Sequence, residues 1–180
     1  MRIIAGSLKG RRLKSPDWEG LRPTSDRLRE TLFNVLAPRM PGARVLDAYA
    51  GTGAVGIEAL SRGASRVTFV EQDRRAQALI EENLAHCGIA NGYAIIRAEA
   101  SDALDRLAAA RERFDVVLLD PPYAAPFEPA MTAAAALLTP DGVVVLEHAR
   151  RRETPPAVGP LERTREIGAG DSALSFYRRH

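Results

Sequence analysis

From residue 43 to residue 148, five short apolar runs alternate with four stretches of helical period, and no other feature of the chain narrows its fold as far. The runs Ala43–Ala48, Arg66–Glu71, Tyr93–Ala98, Phe114–Asp120 and Gly142–His148 have the length and composition of strands. Helices are predicted between them at about 54–62, 73–87, 101–111 and 127–138, where apolar residues recur every three or four positions, as in Ala76, Leu79, Ile80 and Leu84. A strand that is apolar on both faces must be covered on both. Alternating strand and helix achieves this with parallel strands side by side and helices packed on either face. After Pro155-Pro156 the pattern changes, and Arg163–Ile167 and Ala173–Arg179 flank Gly168-Ala-Gly-Asp-Ser172 as an antiparallel hairpin would. The expected fold is α/β, a doubly wound, mostly parallel sheet of five strands closed by a C-terminal antiparallel hairpin.

The first 40 residues follow another pattern. Ile3-Ile4 and Arg12-Leu13 flank Gly6-Ser-Leu-Lys-Gly10, which suggests a small hairpin. A helix then starts near Thr24 or Ser25, either of which can cap it, and runs through Leu28, Leu32, Phe33, Val35 and Leu36 to Pro38. This segment carries nine Lys and Arg against four acids, leaving 16 against 19 in the rest of the chain. Such asymmetry fits an arm that displaces counterions from a polyanion, and it fits equally well a solvated arginine-rich surface. The expected division is a basic extension over 1–40, too short to be an independent domain, and a main domain over 41–180.

Composition excludes several classes. With 46% hydrophobic and 27% charged residues the chain is ordinary for a globular protein, and no apolar run approaches the ~20 residues of a membrane span. The N-terminus lacks the apolar core of a signal peptide, so a cytoplasmic protein is expected. One cysteine, Cys87, and three scattered histidines, His86, His148 and His180, offer no disulfide and no zinc cluster, so no metal is expected.

Two stretches carry chemistry. Val45-Leu-Asp-Ala-Tyr-Ala-Gly-Thr-Gly-Ala-Val-Gly56 puts a glycine-rich turn between the first strand and first helix, and Glu71 ends the next strand 20 residues after Gly51. Gly51, Gly53 and Gly56 satisfy the dinucleotide pattern, so the glycines say only that a ligand approaches backbone near a helix N-terminus. Asp47 discriminates, because it ends the strand where a pyrophosphate would sit and would repel it. The ammonium and sulfonium of S-adenosyl-L-methionine suit that acid instead, although a carboxylate there can also brace the loop. Glu71 can accept from ribose hydroxyls. Glu99 can take an adenine amino group and the Ala100 N–H can donate to the ring, while an acid at the end of a strand is also commonplace.

The second stretch is Asp120-Pro-Pro-Tyr123, which follows the apolar run Phe114–Leu119. Proline fixes φ and lacks an N–H, so the pair holds an extended turn with carbonyls free to accept. A planar amino group could donate to the Asp120 carboxylate and the Pro121 carbonyl while the Tyr123 ring stacks on the base. Taken alone, the four residues are equally a strand end followed by a proline-rich turn.

In their order and spacing, Leu46-Asp-Ala-Tyr-Ala-Gly-Thr-Gly53, Glu71 and Asp120-Pro-Pro-Tyr123 resemble class I S-adenosylmethionine-dependent methyltransferases that act on amino nitrogens. Arg2-Ile-Ile-Ala-Gly6, Gly10-Arg-Arg-Leu13 and Arg22-Pro-Thr-Ser-Asp-Arg-Leu-Arg-Glu-Thr-Leu-Phe-Asn34 are similar to the bacterial RsmD family, which methylates N2 of a guanine in small-subunit (16S) ribosomal RNA. The resemblance covers nearly the whole chain and implies a Rossmann-like methyltransferase fold. It implies that Asp47, Tyr49, Ala50, Gly51, Gly53, Glu71, Gln72, Glu99 and Ala100 surround S-adenosyl-L-methionine, and that Asp120, Pro121, Pro122 and Tyr123 form the catalytic motif. Thr24, Arg27 and Asn34 would close over the cofactor, though Thr24 could simply cap the helix and Arg27 simply pair with Glu30. Arg11, Arg12, Lys14, Arg22 and Arg29 would hold RNA phosphates, with Arg150-Arg-Arg152 either a second contact or a solvated loop. The implied partner is ribosomal RNA, within an assembling ribosomal particle, and the expected state is a monomer. The rival enzyme reading is an adenine-N6 methyltransferase on DNA or RNA, for which about 40 residues of arm leave little room for target recognition. Glutamine methylation is disfavoured by the basic arm. A nicotinamide-dependent dehydrogenase would leave Asp47 and Asp120-Pro-Pro-Tyr123 unexplained, and a non-catalytic RNA-binding module would need neither motif.

Overall fold

The structure, a computed structural model, describes residues 1–180. Its centre is an eight-stranded sheet in the order β3-β2-β1-β4-β5-β8-β7-β6. The strands are β1 (Arg44–Asp47), β2 (Arg66–Val70), β3 (Tyr93–Ile96), β4 (Phe114–Leu119), β5 (Leu138–Ala149), β6 (Ala157–Val158), β7 (Leu161–Ala169) and β8 (Ser172–Arg179). The first five are parallel to one another, and the last three join the sheet and each other through antiparallel pairings. Helices α1 (Asp26–Leu36), α2 (Ala54–Ser61), α3 (Arg74–His86), α4 (Ala100–Ala109) and α5 (Glu128–Ala135) cover both faces. One apolar cluster joins α1, α2 and α3 to one face through Leu28, Phe33, Ile57 and Ile80, and a second joins α4 and α5 to the other through Leu104, Leu107 and Met131. The fold is thus the expected α/β architecture, a doubly wound, mostly parallel sheet with its C-terminal antiparallel hairpin.

Three details depart from expectation. β5 begins at Leu138 rather than Gly142, because Leu138 pairs with Phe114 across a register irregularity, and α5 is correspondingly shorter. A two-residue strand, Ala157–Val158, extends the sheet beyond the hairpin. The N-terminal hairpin reduces to one antiparallel bridge, Arg2 with Arg12, supported by backbone bonds from Ile3 to Arg11 at 2.9 Å and from Leu13 to Met1 at 3.0 Å.

Residues 1–40 share the core of the main domain. Ile3, Leu13, Leu28, Leu32, Phe33, Leu36 and Met40 are buried in the same cluster as Val45 and Phe69. The seam is polar and built around Glu58 of α2, which is fully buried. One of its oxygens accepts the Ile4 N–H at 2.8 Å and an Arg29 N–H at 3.3 Å. The other accepts the Ala5 N–H at 3.1 Å and the Arg62 Nε–H at 2.9 Å. This corrects the expected role of Arg29. Its side chain is fully buried, donates to Glu58, Asp26 and the Arg2 carbonyl, and has no route to a phosphate. The apolar neighbours of α1 leave only its inner face for residue 29, and a guanidinium enters there because a carboxylate meets it.

Candidate active site

The chain order reverses between β1 and β4: β1 is followed through the sheet by β2 and β3 on one side, and β4 by β5 on the other. The connections leave in opposite directions at that point and open a crevice beyond the carboxyl ends of the two strands. Asp47 ends β1, and Asp120 follows the last residue of β4. The glycine turn borders the crevice. Gly53 caps α2 in a left-handed conformation, φ 82°, and a Cβ on Gly56 would lie 2.2 Å from the Phe69 ring, so α2 can sit against β2 only with glycine there. Glu71, just past β2, accepts the Gly51 N–H at 3.1 Å and the Gln72 N–H at 2.9 Å, so it anchors the turn while facing the crevice.

Asp47 is buried, and its Oδ2 has no hydrogen-bond partner. Burial first, and then the Asp120 and Glu71 carboxylates, raise its pKa to about 7. Asp120 opens onto solvent at the mouth of the crevice, yet protein closes around its other sides and raises its pKa to about 6. A third acid, Glu147 near the end of β5, was not anticipated from the sequence. Burial and the adjacent Asp120 raise its pKa to about 8, and its Oε2 accepts the Thr24 hydroxyl at 3.4 Å. The available signal was a carboxylate closing the otherwise apolar run Val143–Leu146 in a central strand. No group of three or more His, Cys, Asp or Glu side chains is arranged to hold a metal ion.

These carboxyls make the crevice a poor place for phosphate and a good one for a cation. The orphaned Asp47 oxygen and the three raised pKa values describe carboxyls whose ionisation nothing in the protein compensates, and an ammonium or sulfonium would supply the counter-charge. The residues present therefore fit S-adenosyl-L-methionine. A pH dependence follows. Below pH about 4 these acids are protonated in folded and unfolded chains alike. As pH rises the unfolded chain ionises first, so stability falls through a window that ends as Asp120, Asp47 and Glu147 ionise at about 6, 7 and 8. Thermal melts of the ligand-free protein should fall between pH 5 and 8, and less steeply in Asp47→Asn. Equal slopes for the two proteins would remove Asp47 from this account.

The turn after β4 is held from the far side of the sheet. Arg152 donates to the carbonyls of Tyr123 at 2.8 Å and Ala125 at 2.7 Å, and its guanidinium lies 3.6 Å from the centre of the Phe127 ring. The expectation of an RNA contact or a solvated loop at Arg150-Arg-Arg152 therefore changes for Arg152, which uses both terminal nitrogens to hold this turn. The Ala125 N–H donates to the Pro122 carbonyl at 2.9 Å, whereas the Pro121 carbonyl accepts nothing from the protein. Tyr123 is 80% exposed, the one large hydrophobic side chain displayed in this way. An aromatic held open beside two acceptors is suited to stacking a planar base.

The other anticipated residues fall into two groups. Tyr49, half-buried, lies near Asp120 and Glu99, whose charges help burial to raise its pKa, and Ala50 and Gly51 form the turn. Gln72 is exposed beside Glu71. Glu99 is the N-cap residue of α4 rather than a strand end, since β3 stops at Ile96, and its side chain makes no capping bond; Ala100 begins the helix. Ser25 caps α1, which leaves Thr24 free to reach Glu147. Arg27 lines a surface cleft with Arg2, Lys9, Asp26 and Glu30. Arg11, Arg12 and Arg22 are exposed with no carboxylate within salt-bridge distance, while Lys14 pairs with Glu82 at 3.0 Å on the surface.

The family model described as conserved hypothetical protein 95 matches residues 1–178. A protein of Bacillus subtilis (strain 168) named "Putative rRNA methyltransferase YlbH" is 37% identical over 185 residues, covering 99% of this chain and 99% of that one. "Ribosomal RNA small subunit methyltransferase D" of Escherichia coli (strain K12) is 46% identical over 123 residues, which span 68% of this chain and 60% of that protein. The solved structure "Putative methyltransferase yhhF from Escherichia coli" has a TM-score of 0.86 at 35% identity, covering 100% of this chain and 98% of the other.

Proposed function

The chain belongs to the conserved hypothetical protein 95 family, that of the RsmD-like ribosomal RNA methyltransferases, and from that membership and the acid crevice we propose that it moves the methyl group of S-adenosyl-L-methionine to the exocyclic N2 of a guanine in small-subunit ribosomal RNA. The observation that carries the base chemistry is the mouth of the crevice. There the Asp120 carboxylate and the unengaged Pro121 carbonyl sit beside a Tyr123 that is 80% exposed.

The cofactor supplies an electrophilic methyl on a sulfonium. Asp47 and Glu71, with the turn of Tyr49, Ala50, Gly51 and Gly53, would hold it, with Gln72, Glu99 and Ala100 available to its adenosine end. A guanine amino nitrogen is a weak nucleophile because its lone pair is delocalised into the ring. Asp120 and Pro121 accept its two N–H hydrogens, which lets the nitrogen pyramidalise and aim its lone pair. Asp120 then stabilises the positive charge that develops there and is placed to take the proton. A base cannot present this nitrogen from inside a helix, so the target is unpaired or flipped out, with its flanking phosphates on Arg11, Arg12, Lys14 and Arg22. No helix is long and apolar enough to cross a membrane. A monomer acting in the cytoplasm on an assembling particle completes the reading.

The experiment is transfer of radiolabelled methyl groups to small ribosomal subunits lacking the modification, with naked ribosomal RNA and duplex DNA in parallel, followed by nucleoside analysis. N2-methylguanosine is the expected product. N6-methyladenine would overturn the base, and absence of label from every nucleic acid would overturn the substrate class. Tyr123→Ala should raise KM for RNA by about tenfold or more, since stacking is worth ~1–3 kcal/mol per base, and leave S-adenosylhomocysteine affinity unchanged.

A further inference from the structure

Glu147 is the crevice acid that neither the glycine turn nor Asp120-Pro-Pro-Tyr123 accounts for. Leu119 and Leu146 are register partners across β4 and β5, so Asp120 and Glu147 stand side by side one residue further on, with strands spaced about 4.8 Å apart. Side chains alternate along a strand, and Leu118 and Val145 both face the cluster beneath the N-terminal extension. Asp120 and Glu147 are two residues beyond them and project to that same face. Glu147 Oε2 accepts the Thr24 hydroxyl at 3.4 Å, while Oε1 takes no hydrogen bond from the protein.

We propose that Glu147 reads the target base, its carboxyl meeting the N1–H of the guanine whose 2-amino group is held by Asp120 and the Pro121 carbonyl. The inference rests on the function proposed above and adds a specificity-determining residue to it. Guanine carries its sugar at N9, so a base entering edge first leads with N1 and the 2-amino group. That edge presents three N–H hydrogens in a row. The mouth of the crevice offers three acceptors for them, and Glu147 is the one beside Asp120 that the amino group does not occupy. A protonated Glu147 keeps its carbonyl for N1–H and turns its O–H toward O6, so the pairing holds in either ionisation state. Adenine has an acceptor at N1 beside its amino group and no O6, so an ionised Glu147 meets acceptor against acceptor and a protonated one makes a single hydrogen bond where guanine makes two. A site built to bond a polar edge discriminates through the groups left unpaired when that edge is missing.

2-Aminopurine separates this role from others, because it keeps the 2-amino group but has an unprotonated N1 and no O6. The test uses synthetic RNA spanning the methylated guanine, assembled into the particle where that is the substrate, with guanine or 2-aminopurine at the target. Wild type should prefer guanine in kcat/KM by about 10- to 100-fold, the range for a bidentate base contact. Glu147→Ala should lower the guanine rate by about that factor and leave the 2-aminopurine rate within about twofold. Glu147→Gln, whose amide retains an acceptor for N1–H and a donor for O6, should keep most of the preference and guards against a folding artefact. An equal loss on both substrates would overturn the proposal and reduce Glu147 to an anchor for Thr24. Weaker S-adenosylhomocysteine binding with the preference intact would overturn it in favour of the cofactor. Failure of wild type to form N2-methylguanosine on the natural RNA is a different result, which removes the function itself and this inference with it.

Discussion

Asp120→Ala should lower kcat for methyl transfer by about a hundredfold or more, within the 10²–10⁴ range of a positioned acid or base, with little change in KM for the cofactor. The reason lies in the two tasks proposed for one carboxylate: to accept an amino hydrogen and to face the positive charge that develops on nitrogen. Asp120→Asn keeps an acceptor oxygen at the same place and loses the charge, so it should retain activity between alanine and wild type. The two variants therefore divide positioning from charge stabilisation. Both should also make Asp47 easier to ionise, because the Asp120 charge is one cause of its raised pKa. Single-turnover rates with saturating RNA measure the effect directly, and an alanine variant as fast as wild type would take Asp120 out of the reaction.

Arg29→Ala should destabilise the fold by about 3 kcal/mol, the low end for removing one partner of a buried ion pair, because Glu58 keeps Arg62. For 180 residues this corresponds to a fall in Tm of about 10 °C. Glu58 is fully buried and would keep Arg62 and two backbone N–H groups but lose a guanidinium donor, while Asp26 and the Arg2 carbonyl lose theirs. Arg29→Lys should recover only part, since one ammonium cannot span three acceptors on different elements. Thermal and denaturant melts decide this. An unchanged Tm would mean that the apolar contacts of α1 hold the extension by themselves. Folded Arg29→Ala should bind RNA like wild type, in contrast to Arg22→Ala, whose exposed side chain has no carboxylate partner.

Local patterns made much of this legible. Strands and helices announce themselves by period, and the parallel sheet follows from their alternation because buried strands need cover on both faces. The turn residues Gly51, Gly53 and Gly56, the capping Ser25 and the rigid Pro121-Pro122 carry their conformations in their own covalent structure, so they could be placed before any contact was seen. Asp47 and Asp120 were legible because each closes an apolar run, and strand ends at a reversal of sheet order converge on one crevice. Arg29 was misread because a basic residue in a basic segment looks the same whether it faces solvent or Glu58. Arg152 was undecided for a related reason: the carbonyls it holds belong to a turn 27 and 29 residues away.

Glu147 marks the boundary between the two kinds of information. The amino-acid sequence determined the elements, their order and the chemistry available at each strand end, since these rest on period, φ preference and side-chain type within a few residues. Tertiary structure alone decided which of those ends meet. It set β4 beside β5 in a register that puts Glu147 next to Asp120, and it brought the extension over them so that Thr24 reaches the same carboxyl. Neighbouring charges, burial and unpaired oxygens are properties of groups brought together from 123 residues apart, and no local pattern encodes them.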